Sequence, residues 1–157
     1  MHKGGVTMAE YLANAEQLVG LNNPIVFDAS IPCTRGNIYH ADGTGVFILK
    51  GNTNNCFARY QVTFNANIAI PTGGEVTPIA VAISENGETR PTSTAIFTPA
   101  AVETEGNVTS TAIITVPRGC CFNVAVRYVD ATTEDPATTP TPTIEVQNAN
   151  LVITRIA

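Results

Sequence analysis

The stretch 54–70, NNCFARYQVTFNANIAI, narrows the fold more than any other part of the chain. From Ala58 onward every second residue is apolar: Ala58, Tyr60, Val62, Phe64, Ala66, Ile68 and Ile70. Arg59, Gln61, Thr63, Asn65 and Asn67 fill the positions between them. Successive side chains of a strand point to opposite faces, so this period predicts one long strand with a dry face and a wet face. A dry face of that length needs a second layer over it. The chain has 157 residues, enough for one domain with a real core.

Strand signals continue on both sides. PIVFDAS (24–30) is a short strand, and GNIYHADGTGVFILKG (36–51) reads as two short strands around a Gly-rich turn. The segment 76–97 is a hairpin with Asn86-Gly87 at its turn. Its first arm sends Ile79, Val81 and Ile83 to the core, with Ala80 and Ala82 behind. NVTSTAIITVPRG (107–119) keeps Thr109, Thr111 and Thr115 on the wet side. CCFNVAVRYV (120–129) turns Phe122, Val124, Val126 and Tyr128 inward, and TIEVQNANLVITRIA (143–157) is the last strand. About ten strands with Gly-, Pro- and Asn-rich turns predict an all-β, two-sheet antiparallel sandwich of jelly-roll type. The one helical expectation is AEYLANAEQLV (9–19), where Tyr11, Ala15, Leu18 and Val19 make an apolar stripe that Leu12 widens. The chain thus divides into an arm, 1–23, and a sandwich, 24–157, with a Thr/Pro-rich loop at 130–143. Met8 offers an alternative translation start.

Only 13% of the residues are charged, the net charge is −5, and the basic residues are scattered singly. A phosphate backbone needs clustered Lys and Arg, so nucleic acid is not an expected partner. No stretch approaches the roughly 20 apolar residues a bilayer demands, so no membrane is expected either. Glu10, Asn14 and Glu16 stand where a secretory signal would be apolar, which predicts synthesis and folding in a cytoplasm.

The chain is not expected to be an enzyme. His40 is the only internal histidine, so any Ser-His-Asp set or Cys-His pair must use it, and there is no G-x-S-x-G elbow. A lone strand histidine is more often structural. Glu85, Glu88, Glu103 and Glu105 lie in hairpins and loops, where they read as solubilising charge rather than glycosidase carboxylates. ADGTG (41–45) and VDATTED (129–135) are read as turns rather than calcium loops, and Asn107 as an unused glycosylation acceptor. No cofactor and no metal are expected. Cys33, Cys56, Cys120 and Cys121 lack zinc-ligand spacing and are expected to be buried free thiols, with a disulfide formed after release as the alternative.

The order ARYQVTFNANI, PIAVAISENGE, STAIITVPRGCCFNVAV and ANLVITRIA resembles the tumour-necrosis-factor-like jelly roll shared with complement globular heads. The resemblance covers roughly 24–157, and PRGCC departs from it by lacking the family's usual Asp. The phrases NNCFARYQV, IAIPTGG, FTPAAVE, VPRGCCFNVAV and VQNANLVI resemble small virion surface proteins of gut Firmicutes phages and prophages. These resemblances imply a homotrimer on a virion surface, the capsid exterior, partnered by the major capsid protein or another virion protein. Low charge beside 44% hydrophobic residues independently favours association.

Tyr60, Phe64, Ala80 and Ala82 are the candidate interface residues, although the two alanines would equally let the two sheets approach. Tyr11, Leu12, Leu18 and Val19 are the candidate docking residues of the arm. Asn86, Glu88, Arg90, Thr138 and Thr141 would line distal loops able to take a host-surface glycan. Two alternatives stand beside capsid decoration: the receptor-reading tip of a head or tail fibre, and a trimerisation domain of a bacterial spore or cell surface. The absence of a Gly-X-Y run or heptads counts against both.

Overall fold

A computed structural model describes residues 8–31, 37–131 and 140–157. Cys33, Thr138 and most of the Thr/Pro-rich loop lie outside the described residues. The strands of the first half are β1 Met8–Ala13, β2 Gln17–Gly20, β3 Ala29–Ile31, β4 Ile38–His40, β5 Phe47–Lys50 and β6 Phe57–Ala69. Those of the second half are β7 Ile79–Glu85, β8 Glu88–Thr89, β9 Ala95–Phe97, β10 Gly106–Pro117, β11 Cys121–Val129 and β12 Thr143–Arg155.

They form two antiparallel six-stranded sheets. Sheet one runs β10-β6-β12-β1-β3, with β2 paired to the far end of β12, and sheet two runs β4-β5-β11-β7-β8, with β9 also on β7. The strand expected from the alternation is β6, paired along its whole length with β10 from Phe57↔Pro117 to Ile68↔Gly106. Its dry face is completely buried at Ala58, Tyr60, Val62, Phe64 and Ile68, against Ile79, Val81, Ile83, Val124, Val126 and Tyr128 of sheet two. The NG hairpin is also as expected. Asn86 and Gly87 both adopt positive φ, 53° and 87°, which a tight two-residue turn between right-twisted strands requires.

The helix expected over 9–19 is not formed. Ala9, Tyr11 and Ala13 satisfy a period of two as well as Tyr11, Ala15, Leu18 and Val19 satisfy a helical one, and β12 decides between them. It pairs with β1 from Met8↔Thr154 to Ala13↔Ala149 and with β2 from Gln17↔Val146 to Gly20↔Thr143. Tyr11 and Val19 enter the core at 4% and 3% exposure, so neither side chain is presented for docking. Leu12 is half-buried and Leu18 alone is open to solvent. The first 23 residues therefore do not form a separate arm where they are described.

Tyr11 lies 4.6 Å from Phe47 and 4.9 Å from His40, ring centre to ring centre, while His40 stacks on Phe47 at 4.2 Å. This aromatic group ties the first strand to the opposite sheet. The His40 side chain is fully enclosed, and its Nε2 is hydrogen-bonded to the Thr44 carbonyl at 2.8 Å. Its position is that of a packed core residue.

The flank between β7 and β10, where both sheets end, is stitched by polar side chains. The Ser93 hydroxyl accepts from Ile83 N at 2.9 Å and lies 3.2 Å from Ile83 O, replacing a strand neighbour. The Ser93 carbonyl in turn accepts from Ser110 Oγ. Arg90 Nη1 donates to Glu85 Oε1 at 3.1 Å and to the β10 carbonyl of Ile113 at 3.0 Å. Removing the Ser93 hydroxyl strands a buried amide, so Ser93→Ala should cost about 1–3 kcal/mol in urea unfolding. Thr115→Ala, on an exposed position, should stay within about 0.5 kcal/mol.

Candidate assembly face

The outer face of sheet one is made by the wet halves of β10, β6 and β12. Along β6 and β10 it presents Gln61, Thr63, Asn65, Asn67, Asn107, Thr109, Thr111 and Thr115. The antiparallel register sets these side chains directly opposite one another, and they bond across the strands. Thr63 Oγ1 meets Thr111 Oγ1 at 2.7 Å. Asn107 Nδ2 donates to Asn65 Oδ1 at 2.7 Å and to Asn67 Oδ1 at 3.1 Å. Asn67 Nδ2 reaches Asn148 Oδ1 at 3.4 Å. Asn148 holds a positive φ of 53°, and the β6–β12 register shifts between Gln147 and Asn150. That bulge brings an extra amide onto the face. Beyond it Asn150 Nδ2 donates to Glu10 Oε2.

The centre of this surface therefore carries polar groups and no charge, with its amides and hydroxyls already ordered. Such a surface costs little side-chain entropy and little charge desolvation to cover. The flank beside it is more apolar. Ile96, on β9, is 60% exposed there, while Ile113 is 39% exposed on the outer face itself, in β10 between Thr111 and Thr115. A long uncharged edge is a pairing hazard, and Arg90 blocks it at Ile113. Arg90→Ala should raise light scattering on heating while leaving the far-UV dichroism of the unheated protein unchanged.

Charge is segregated to the ends of the sandwich. At the end where β6 finishes and β12 begins, Glu16, Glu103, Glu105 and Glu145 gather. Burial, then Glu16, then the charge and hydrogen bond of Glu103, then Glu105, hold Glu145 above the usual carboxylate range. A carboxyl whose folded pKa is raised is disfavoured in its ionised form by folding. The penalty is present above the folded value and absent below the ordinary one. Glu145→Gln should therefore raise Tm at pH 7, and the gain should vanish as the pH falls below about 4.

The sequence-derived candidates fall apart in space. Tyr60 and Phe64 are 0% exposed and lie inside this chain's own sandwich, while Ala80 and Ala82, on the side of β7 away from the core, are 0% exposed as well, so none of them is open at the surface. The Tyr60 hydroxyl donates to the Lys50 carbonyl at 2.5 Å. Alternation had already marked the residues between them, Thr63, Asn65 and Asn67, as the wet side. What went unread was that their uncharged run continues on β10.

The loop candidates do not converge either. Asn86 sits beside Asn123, whose amide donates to Asn86 Oδ1 at 2.9 Å, near the start of β11. Thr141 belongs to the other end of that strand, where its carbonyl accepts from Tyr128 Oη at 2.6 Å. Burial, reinforced by Asp130, pushes the Tyr128 phenol up to about 12. Arg90 is committed to Glu85 and Ile113, and Glu88 is exposed. A groove of about 340 Å³ between 71–75 and 140–143 is lined by prolines, threonines and Glu75. Cys56, Cys120 and Cys121 are free and exposed rather than buried: Cys56 and Cys120 stand on turns outside the strands, and Cys121 is the exposed first residue of β11.

No family model and no curated protein matches the chain. Solved structures do. The globular domain of zebrafish complement 1qA superimposes with a TM-score of 0.64 at 14% identity, covering 98% of both chains. Eiger TNF from S. frugiperda gives 0.65 at 12% identity over 97% of this chain and 93% of its own. Murine APRIL gives 0.60 at 8% identity over 97% of this chain and all of the other. The fold is a jelly roll like those of tumour necrosis factor and C1q.

Proposed function

We propose that this chain is a non-enzymatic virion structural protein, a homotrimeric jelly roll that decorates the exterior of a phage capsid. The observation that carries the assembly is the uncharged, pre-ordered face of β10, β6 and β12, which also exposes Ile113, beside a flank bearing Ile96. A cyclic arrangement in which the flank of one copy covers the face of the next buries both surfaces and closes after three copies. The resemblance of the sequence phrases to phage surface proteins favours the virion location, and three-fold positions of an icosahedral lattice match such a trimer. The chemistry-bearing residues give no support to catalysis. His40 is enclosed by Tyr11 and Phe47, and the described cysteines are exposed at or beside turns. The groove at the acidic end favours a second role for the same trimer, as the tip of a head or tail fibre that reads a host glycan.

Sedimentation velocity should give a species of about three times 16.5 kDa. Asn65→Arg with Thr111→Arg places like charges across the face and should yield monomers with unchanged far-UV dichroism. A wild-type monomer at all concentrations would end the trimer reading. Cryo-electron microscopy of particles from the source phage should show density on the head lattice. Density at a fibre tip would move the function to host recognition.

A further inference from the structure

The end of the sandwich opposite that glutamate group gathers cations on the side of the 51–57 and 117–121 turns, while Glu85 and Glu88 reach the same end in the 85–88 hairpin. The turns 51–57 and 117–121 meet there, with Gly51 N donating to the Cys120 carbonyl at 2.8 Å and Arg118 N to the Cys56 carbonyl at 2.9 Å. Gly51 is required because a Cβ would lie 2.1 Å from the Pro117 carbonyl oxygen. The β12 end joins them, Ile156 N donating to the Arg59 carbonyl at 2.9 Å. Lys50, Arg59, Arg118 and Arg155 are thereby collected on one pole of a chain whose net charge is −5. Among the described residues no carboxylate side chain forms a salt bridge with any of them.

The guanidiniums are held but not consumed. Arg59 lies 4.6 Å over the Phe57 ring, Arg118 Nη1 donates to the Asn54 carbonyl at 3.3 Å, and Arg155 Nε donates to the Ala157 carbonyl at 3.1 Å. Arg118 also lines an open hollow of about 750 Å³ with Asn54, Asn55, Cys56 and Phe57, the ring that Arg59 covers. Ile156 is half exposed on the same pole.

We propose that this pole is a docking surface for an acidic protein surface. Positioned guanidiniums have bidentate geometry for carboxylates. Arginine and aromatic side chains around an apolar centre are the composition of protein interfaces. A polynucleotide fits worse: the cations are few and confined to one pole rather than strung along a phosphate path, and the rest of the chain repels a polyanion. The proposal names the chemistry of the partner in the decoration reading, and it rests on that reading only for which protein the partner is.

The test is fluorescence anisotropy of a labelled decaglutamate peptide with the whole chain at low and physiological salt. Arg59→Glu with Arg118→Glu should weaken binding about tenfold or more. Thr72→Glu with Thr98→Glu adds negative charge away from this pole and should leave it within about twofold, which separates the pole from net charge. Arg59→Gln with Arg118→Gln should fall between the two, and it replaces the reversal if dichroism shows that the latter is unfolded. Equal binding by the neutral and reversed variants, or tighter binding of a DNA duplex of matched charge, overturns the assignment. So does self-association of the wild type that Glu105→Lys abolishes, because the pole would then belong to a second copy. Peptide binding without particle binding would overturn the decoration reading and leave the pole standing.

Discussion

The pairing of β12 with three other strands is the constraint on which everything else depends. β12 lies between β6 and β1 in sheet one and also carries β2 at its far end. Without it β6 loses one of its two neighbours, β1 and β2 lose their register, and the core loses Ile144, Val146, Leu151 and Ile153. Segments more than a hundred residues apart must meet before sheet one exists, as Met8↔Thr154 shows. Such topology is slow to fold, because loop closure must be met before contacts reward it.

The outer face follows from that pairing. Strand alternation puts every polar residue of β6 on one side, and the register of β10 sets threonine and asparagine opposite threonine and asparagine. The bulge in β12 adds Asn148. Charge is excluded from the centre and left to the two ends, acidic where β6 finishes and basic where it starts. One sequence period thus produces both the packed layer and the ordered polar face outside it.

Legibility tracked periodicity. β6, β7, β10, β11 and β12 were readable because their alternation runs for seven residues or more. Residues 9–19 were misread because Ala9, Tyr11 and Ala13 fit either period, and the deciding partner is β12, nearly a whole chain away. Tyr60 and Phe64 were correctly placed on a dry face, but no pattern within one strand says whether its own second sheet covers that face fully. It does, and so these rings are closed to any neighbour. The cysteines were misjudged for the opposite reason: residue type suggested burial, while their places at or beside turns imposed exposure. The Arg90 strap had no local signal, since Ile113 lies 23 residues further on.

The central place of β12 also bears on quality control. A chain cut short before Thr143 would leave β6 and β1 with bare inner edges and the core without Ile144, Val146, Ala149, Leu151 and Ile153. Such a fragment would resemble the substrates that chaperones hold and proteases clear, rather than a smaller working domain. Incomplete copies would thus be sorted out early, because the outer face of sheet one exists only in a chain that carries its last strand.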